Sequence, residues 1–118
     1  MAHFVIGATT GPTDPTKAML PFILAASALQ DGDSVTLMLF HDAVHMGTEG
    51  VAKEVVPFGP PQRFEEVAGH DNATVYVCKP CATSRRITEA MLHERISFAG
   101  MNEFHAAAKR DDARVVTF

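Results

Sequence analysis

The two cysteines of the chain stand three residues apart, in the segment VYVCKPC of residues 75–81. A thiol pair at the end of an apolar, strand-like segment can be a redox couple, half of a zinc site, or a sulfur-carrying nucleophile with a companion thiol. Cysteine is also a common buried small hydrophobic residue, so a purely structural role stays open. The rest of the sequence has to distinguish these four kinds of site.

A reactive cysteine needs neighbours that lower a thiol pKa of about 8.5, because the thiolate is the nucleophile. The sequence predicts a helix that begins next to Cys81, and the free N–H groups of a helix start stabilise an anion. Lys79 is adjacent, and Arg85 follows Cys81 by four residues, one helical turn away on the same face. These features favour a nucleophilic thiol, with Cys81 the more activated and Cys78 the more enclosed.

The redox and zinc interpretations have weaker support in the sequence. A thioredoxin-like pair follows the first strand of its domain and is approached by a later cis-proline, but here the pair comes late and no proline follows Pro80. A zinc site would add His41 and His45, which have helical i, i+4 spacing, to the two thiols. That order matches no standard zinc finger, because the histidines come more than thirty residues earlier. We therefore expect neither a metal nor another cofactor.

Composition predicts one globular domain that spans residues 1–118, with 47% hydrophobic residues. The formal net charge of −4 argues against direct nucleic-acid binding, which depends on clustered Lys and Arg. No apolar stretch approaches the roughly 20 residues of a membrane span. The N-terminus lacks the basic start and apolar core of a secretory signal. We expect a cytoplasmic protein that binds no membrane.

Strand and helix patterns alternate along the chain. The apolar runs predict strands over residues 3–7, 35–40, 53–58, 74–78 and 114–118, and helices over residues 15–30, 63–68, 82–95 and 101–109. Asp14 before Pro15 is a helix-start signature. This alternation predicts an α/β fold: a single three-layer domain with a mostly parallel sheet of about five strands and helices on both faces.

Chemistry in such folds gathers beyond the carboxyl ends of the strands, which meet at one edge of a parallel sheet. We therefore expect residues that follow different strands to share one pocket. These residues are Thr9, Thr10 and Gly11 after the first strand, His41 and Asp42 after the second, and the two thiols, Cys78 and Cys81, with Lys79 at and after a later one.

These motifs, in this order, resemble the DsrE-like sulfur-relay proteins over nearly the whole chain. The resemblance rests on a Phe-Val-Ile-Gly…Asp-Pro start, a Val-Thr-Leu-Met-Leu-Phe strand followed by His-Asp, a strand ending in Cys, and the closing Arg-Val-Val-Thr-Phe strand. Well-known members have a strand-end cysteine seven residues before the Arg of an Arg-Gly pair. Cys78 has that spacing to Arg85. The chain departs from the pattern because Arg86 replaces the glycine and Cys81 is additional.

The resemblance implies a DsrE-like domain over residues 1–118 that forms a homo-oligomer, a trimer or a hexamer. It implies a sulfurtransferase-like role in which a cysteine persulfide carries sulfur from a donor protein to an acceptor thiol. Both cysteines are candidates for the persulfide, and the resemblance favours Cys78 over Cys81. Lys79 and Arg85 would then stabilise the thiolate, and His41 would exchange protons with it or orient the acceptor. The second thiol allows a persulfide to resolve into a Cys78–Cys81 disulfide. A non-enzymatic assembly or small-ligand-binding subunit with structural thiols is the alternative from another class.

Overall fold

A computed structural model describes residues 1–55 and 62–118 of the chain. The elements, in chain order, are β1 (His3–Ala8), α1 (Pro15–Gln30), β2 (Ser34–Leu39), a first 3₁₀ helix (His41–Gly47), α2 (Glu49–Glu54), α3 (Gln62–Ala68), β3 (Ala73–Cys78), α4 (Lys79–Ser84), a second 3₁₀ helix (Glu89–Met91), β4 (Ile96–Ala99), α5 (Met101–Ala108) and β5 (Ala113–Thr117).

The five strands of the described residues form one parallel sheet in the order β4-β3-β2-β1-β5. Ala8, Leu39 and Val77 lie in register across the three central strands. The chain therefore leaves β1, β2 and β3 at the same edge of the sheet. This confirms the predicted α/β fold with a parallel sheet, and it places the segments that follow these strands side by side.

The first helix begins and ends as local chemistry predicts. The Asp14 side chain accepts a hydrogen bond from the Lys17 backbone N–H at 3.2 Å, and Pro15 occupies the first helical position. Gly32 follows the helix with a φ of 86°, a left-handed conformation that glycine adopts without steric cost. The buried face of α1 includes Phe22, whose ring lies 5.2 Å from that of Phe64 on α3. Helices α1 and α3 thus cover one face of the sheet together.

The opposite face is covered by α5, whose crossover from β4 runs back across the sheet to β5. Phe104 of α5 packs edge-on against Phe40 with ring centroids 5.4 Å apart. A Cβ atom at Gly7 would lie 3.2 Å from the Phe104 ring, so glycine at this position lets the helix approach the strand closely. The three-layer arrangement agrees with the prediction of helices on both faces.

Two predicted elements are wrong. Residues 49–54 form α2, so the predicted strand over 53–58 begins inside a helix, and its residues 56–58 lie outside the described part of the chain. The predicted helix over 82–95 is divided, because α4 stops at Ser84 and β4 begins at Ile96. The sheet therefore has the predicted number of strands, but β4 stands in place of the strand predicted near residue 55. Among the described helices, none is both long and apolar enough to cross a membrane.

A buried polar group lies at the amino ends of β1 and β2. His3 is 4% exposed, and its Nδ1 and Nε2 atoms lie 2.6 Å and 2.8 Å from the hydroxyl oxygens of Ser34 and Thr36. Burial, and then the positive charge of Arg110, lower the pKa of His3 below its ordinary value of 6.5, although Asp112 acts in the opposite direction. The imidazole is therefore neutral in the folded protein at pH 7.

The lowered pKa predicts a loss of stability in mild acid. Below about pH 6.5 the unfolded chain binds a proton at His3 that the folded chain does not, so the free energy of unfolding falls by up to ~1.4 kcal/mol per pH unit. Urea unfolding of His3→Gln between pH 7.5 and 5 should show a shallower pH dependence than that of the unchanged protein. The exposed His105 provides the control, since His105→Gln should keep the original slope. An unaltered slope in His3→Gln would contradict this assignment.

Candidate thiol site

Both thiols are free, and they differ in exposure. Cys78 is the last residue of β3, where it pairs in register with Ala99 of β4, and it is 7% exposed. Its backbone leaves the strand and caps α4, so that Cys81 is the third residue of this helix. Cys81 is partly exposed. The fold thus places the first thiol inside the sheet edge and the second one helical turn farther out.

The electrostatic surroundings of Cys78 do not activate it. Burial, followed by hydrogen bonding to the Cys81 thiol, raises the pKa of Cys78 above its ordinary value. The backbone N–H of Cys81 and the charge of Arg85 act in the opposite direction and offset only part of this increase. Cys78 is therefore mainly a protonated thiol, close to that of Cys81.

A tight helix end positions the arginine of the site. The Ile87 N–H donates to the Ala82 carbonyl at 2.9 Å, and the Arg86 N–H donates to the Thr83 carbonyl at 3.1 Å. These are the two hydrogen bonds of a Schellman motif, in which the residue after the helix cap takes a left-handed conformation. Here that residue is Arg86, with a φ of 59°. The turn ends α4 after six residues and fixes Arg85 as its cap.

The Arg85 guanidinium joins the segment after β2 to the segment after β3. Its Nε donates to Asp42 Oδ1 at 2.9 Å, and its Nη2 lies 2.9 Å from the same oxygen. Its Nη1 donates to the Cys81 carbonyl at 3.1 Å. The hydrogen bond from Arg85 is the main reason that the pKa of Asp42 is lowered, so this carboxylate stays charged at any physiological pH. One cation thus holds Asp42 beside the helix that carries Cys81.

His41 completes this group from an unusual backbone conformation. Its φ of 52° lies in the left-handed region, which is uncommon for a residue with a side chain. Arg85 Nη2 donates to His41 Nδ1 at 3.1 Å, so the neutral imidazole carries its proton on Nε2. That nitrogen is 3.8 Å from Asp42 Oδ2, and the His41 side chain is largely exposed to solvent. His41 can therefore exchange a proton with water or with a bound molecule.

The remaining predicted residues lie at different places around the edge. A Cβ atom at Gly11 would lie 2.5 Å from the Asp42 carbonyl oxygen, so the loop after β1 contacts Asp42 directly. Thr9 is exposed, and its hydroxyl donates to the carbonyl of Phe118 at 3.0 Å, away from the thiols. Thr10 is half-buried, and Lys79 is exposed at the start of α4. The structure thus groups His41, Asp42, Arg85 and the thiols, with Gly11 behind Asp42.

A separate cavity of about 620 Å³ lies between the loop after β1, α2 and the second 3₁₀ helix. Apolar side chains such as Pro12, Val51, Val55 and Met91 form much of its wall, and none of the predicted site residues lines it.

In residues 1–55 and 62–118, no group of three or more His, Cys, Asp or Glu side chains is arranged to hold a metal ion. His45 lies with His41 in the first 3₁₀ helix, but it joins no such group with the thiols.

An arginine itself gives no signal of a left-handed turn, and the one hint at position 86 was the glycine that the resembling family has there. Side chains in this conformation cost about 1 kcal/mol or more relative to glycine. We expect Arg86→Gly to raise the free energy of unfolding by about 1 kcal/mol, measured by urea denaturation. Arg63→Gly is the matched control, because Arg63 has the right-handed backbone of α3 and the same change there should not raise stability. Destabilisation by Arg86→Gly would contradict this account of the turn.

Comparison with known proteins agrees with this fold. The chain resembles the YchN protein of E. coli, with a TM-score of 0.83 and 24% sequence identity over 100% of both chains. It also resembles MTH1491 of Methanobacterium thermoautotrophicum, a protein of unknown function, with a TM-score of 0.78 and 9% identity over 100% of both chains. These two similarities establish the fold. A search of curated proteins finds no match. The model of the DsrE/DsrF-like family matches residues 2–118, so the chain belongs to the DsrE/DsrF-like family.

Proposed function

We propose that this protein accepts a sulfur atom as a cysteine persulfide at the Cys78–Cys81 pair and passes it to an acceptor thiol. The observation that carries the proposal is the proximity of two free thiols at the carboxyl edge of the sheet, beside a fixed guanidinium, in a DsrE/DsrF-like chain. Membership of this family supports a sulfur-relay role in general. The persulfide chemistry is our own inference from the thiols.

The proposed reaction is an exchange between sulfur atoms. A thiolate of the pair attacks the sulfane sulfur of a donor persulfide, a new S–S bond forms, and the donor's own S–S bond breaks to release its thiolate. An acceptor thiolate then takes the same sulfur from the protein in the same way. Arg85 supplies positive charge close to the thiols, and the Nε2 proton of His41 is available to the leaving thiolate. The exposed Lys79 adds a positive charge at the start of α4, next to Cys78 in the chain.

The persulfide is tested most directly on chains with one thiol, because a single thiol cannot form an internal disulfide. After incubation with glutathione persulfide, Cys78→Ser or Cys81→Ser protein should gain about 32 Da, one sulfur atom, by intact mass spectrometry. Addition of a second thiol should remove this mass and yield a persulfide on the acceptor. The double variant without thiols is the control and should gain nothing. Absence of the adduct from both single variants would refute the proposed function.

A structural role of the thiols is the second candidate, and the burial and raised pKa of Cys78 favour it. In that case the protein is a non-enzymatic assembly or ligand-binding subunit. Titration of the two thiols by their rate of alkylation separates the candidates, because a working pair includes one thiol with a pKa clearly below about 8.5. Two thiols that both titrate at or above this value would favour the structural role.

We further propose that the protein is a homo-oligomer whose partners are sulfur donor and acceptor proteins. The exposure of two large apolar residues, Met101 on α5 and Val115 on β5, supports self-association on that side of the molecule. Light scattering on the untagged chain should give the mass of a trimer or a hexamer. The mass of a single chain would contradict this part of the proposal.

A further inference from the structure

The two thiols are not equivalent in their access to a donor. Cys78 is 7% exposed and is the last residue of β3, directly before α4. Cys81 lies one turn farther along α4 and is partly exposed. A donor persulfide carried by a small molecule or by a protein must bring its sulfur to within bonding distance of the attacking atom. That approach is open at Cys81 and obstructed at Cys78.

Reactivity differs in the same direction as access. The thiolate is the attacking species, and burial together with the Cys81 thiol raises the pKa of Cys78. Each pKa unit lowers the thiolate fraction about tenfold at a pH well below the pKa. Cys78 is thus poorly suited to attack a donor in solution. It is nevertheless well placed to attack a neighbouring sulfur, because that reaction requires no access from solvent.

The pair is already arranged for bond formation. Cys78 caps α4 and Cys81 is the third residue of this helix, close enough for the Cys81 thiol to raise the pKa of Cys78. Residues three apart on a helical turn have their Cβ atoms about 5–6 Å from each other. A disulfide needs Cα atoms roughly 4.4–6.8 Å apart and Cβ atoms roughly 3.5–4.5 Å apart, so a small backbone shift at the start of α4 is enough. The Schellman turn and Arg85 hold the helix end in place during this adjustment.

We propose that Cys81 takes the sulfur from the donor and that Cys78 then displaces it as hydrogen sulfide, leaving a Cys78–Cys81 disulfide. This inference rests on the proposed function, since it requires a persulfide at the site. It assigns a distinct role to each thiol, which the spacing of the two cysteines alone does not do.

The atoms and electrons of this sequence balance. The Cys81 thiolate attacks the outer sulfur of a donor persulfide, and the donor leaves as a thiol after it takes up a proton. The Cys78 thiolate then attacks the inner sulfur of the Cys81 persulfide, the S–S bond breaks, and HS⁻ leaves. The sulfane sulfur gains two electrons and the two cysteine sulfurs lose two, so the donor itself is the oxidant. A dithiol reductant, either a small molecule or a protein, returns the disulfide to two thiols for the next cycle.

The same arrangement gives the persulfide two possible fates. An acceptor thiol that reaches Cys81 removes the sulfur for transfer, whereas in the absence of an acceptor the neighbouring Cys78 removes it as sulfide. Because Cys78 is held beside Cys81 by the chain itself and an acceptor is not, the outcome depends on whether an acceptor is bound. The site therefore relays sulfur when an acceptor is present and discharges it when none is.

Single-turnover treatment with glutathione persulfide tests the assignment. The fully reduced protein should lose 2 hydrogens, about 2 Da, and release about one sulfide per chain, measured with monobromobimane. Cys78→Ser should instead keep one added sulfur and release no sulfide above the level of the double variant, which corrects for breakdown of the reagent. Cys81→Ser should gain sulfur at no more than about one tenth of the rate of Cys78→Ser, because its remaining thiol is buried and has a raised pKa. Cys78→Ala repeats the test if a serine hydroxyl in this buried position disturbs folding.

The possible outcomes separate this inference from the proposed function. A stable added sulfur on the unchanged protein, without sulfide, would refute discharge by Cys78 and leave the sulfur relay intact. Faster sulfur uptake by Cys81→Ser than by Cys78→Ser would reverse the order of the two thiols. No added sulfur, no disulfide and no excess sulfide in any of these proteins would refute the proposed function itself.

Discussion

The candidate site depends on the parallel register of the three central strands. Because Ala8, Leu39 and Val77 lie in one row, the segments after β1, β2 and β3 begin at the same height along the sheet. Residues that are more than thirty positions apart in sequence therefore become neighbours without long connecting loops. The close packing of Gly11 against the Asp42 carbonyl shows how little space separates these segments. A shift of one residue in register would move each strand-end side chain to the other face of the sheet.

Arg85 converts this proximity into a fixed arrangement. An ion pair with a half-exposed carboxylate contributes little to stability, so the contact with Asp42 matters mainly for position. The guanidinium forms hydrogen bonds with Asp42, with His41 and with the Cys81 carbonyl, and its planar shape fixes their relative directions. His41 and Arg86, two non-glycine residues with a left-handed backbone conformation, flank this contact. Backbone strain of this kind is retained where the surroundings hold it and is characteristic of functional sites.

The sequence predicted those elements whose boundaries carry a chemical signal. Helix α1 has the predicted bounds, because Asp14 and Pro15 mark its start and Gly32 follows its end. The end of α4 carries no such signal, since an arginine occupies the position that glycine usually takes, and the predicted helix therefore ran on to residue 95. Strand β4 has only four residues at the edge of the sheet, too few for a clear alternating pattern. The contacts of Arg85 and the burial of Cys78 arise from long-range packing, which local patterns do not encode.

The spacing of the cysteines suggested a redox pair, but the fold determines which thiol is exposed. In a motif of this spacing, the free N–H groups at the start of the helix would lower the pKa of the thiol that lies nearest to them. Here the strand draws the first cysteine into the sheet edge, where loss of solvation outweighs the nearby N–H group and the charge of Arg85. The second cysteine remains on the outer turn of α4, beside the first. The position of β3 relative to α4, rather than the motif itself, therefore makes the two thiols chemically unequal, and any directed passage of sulfur through the pair follows from that inequality.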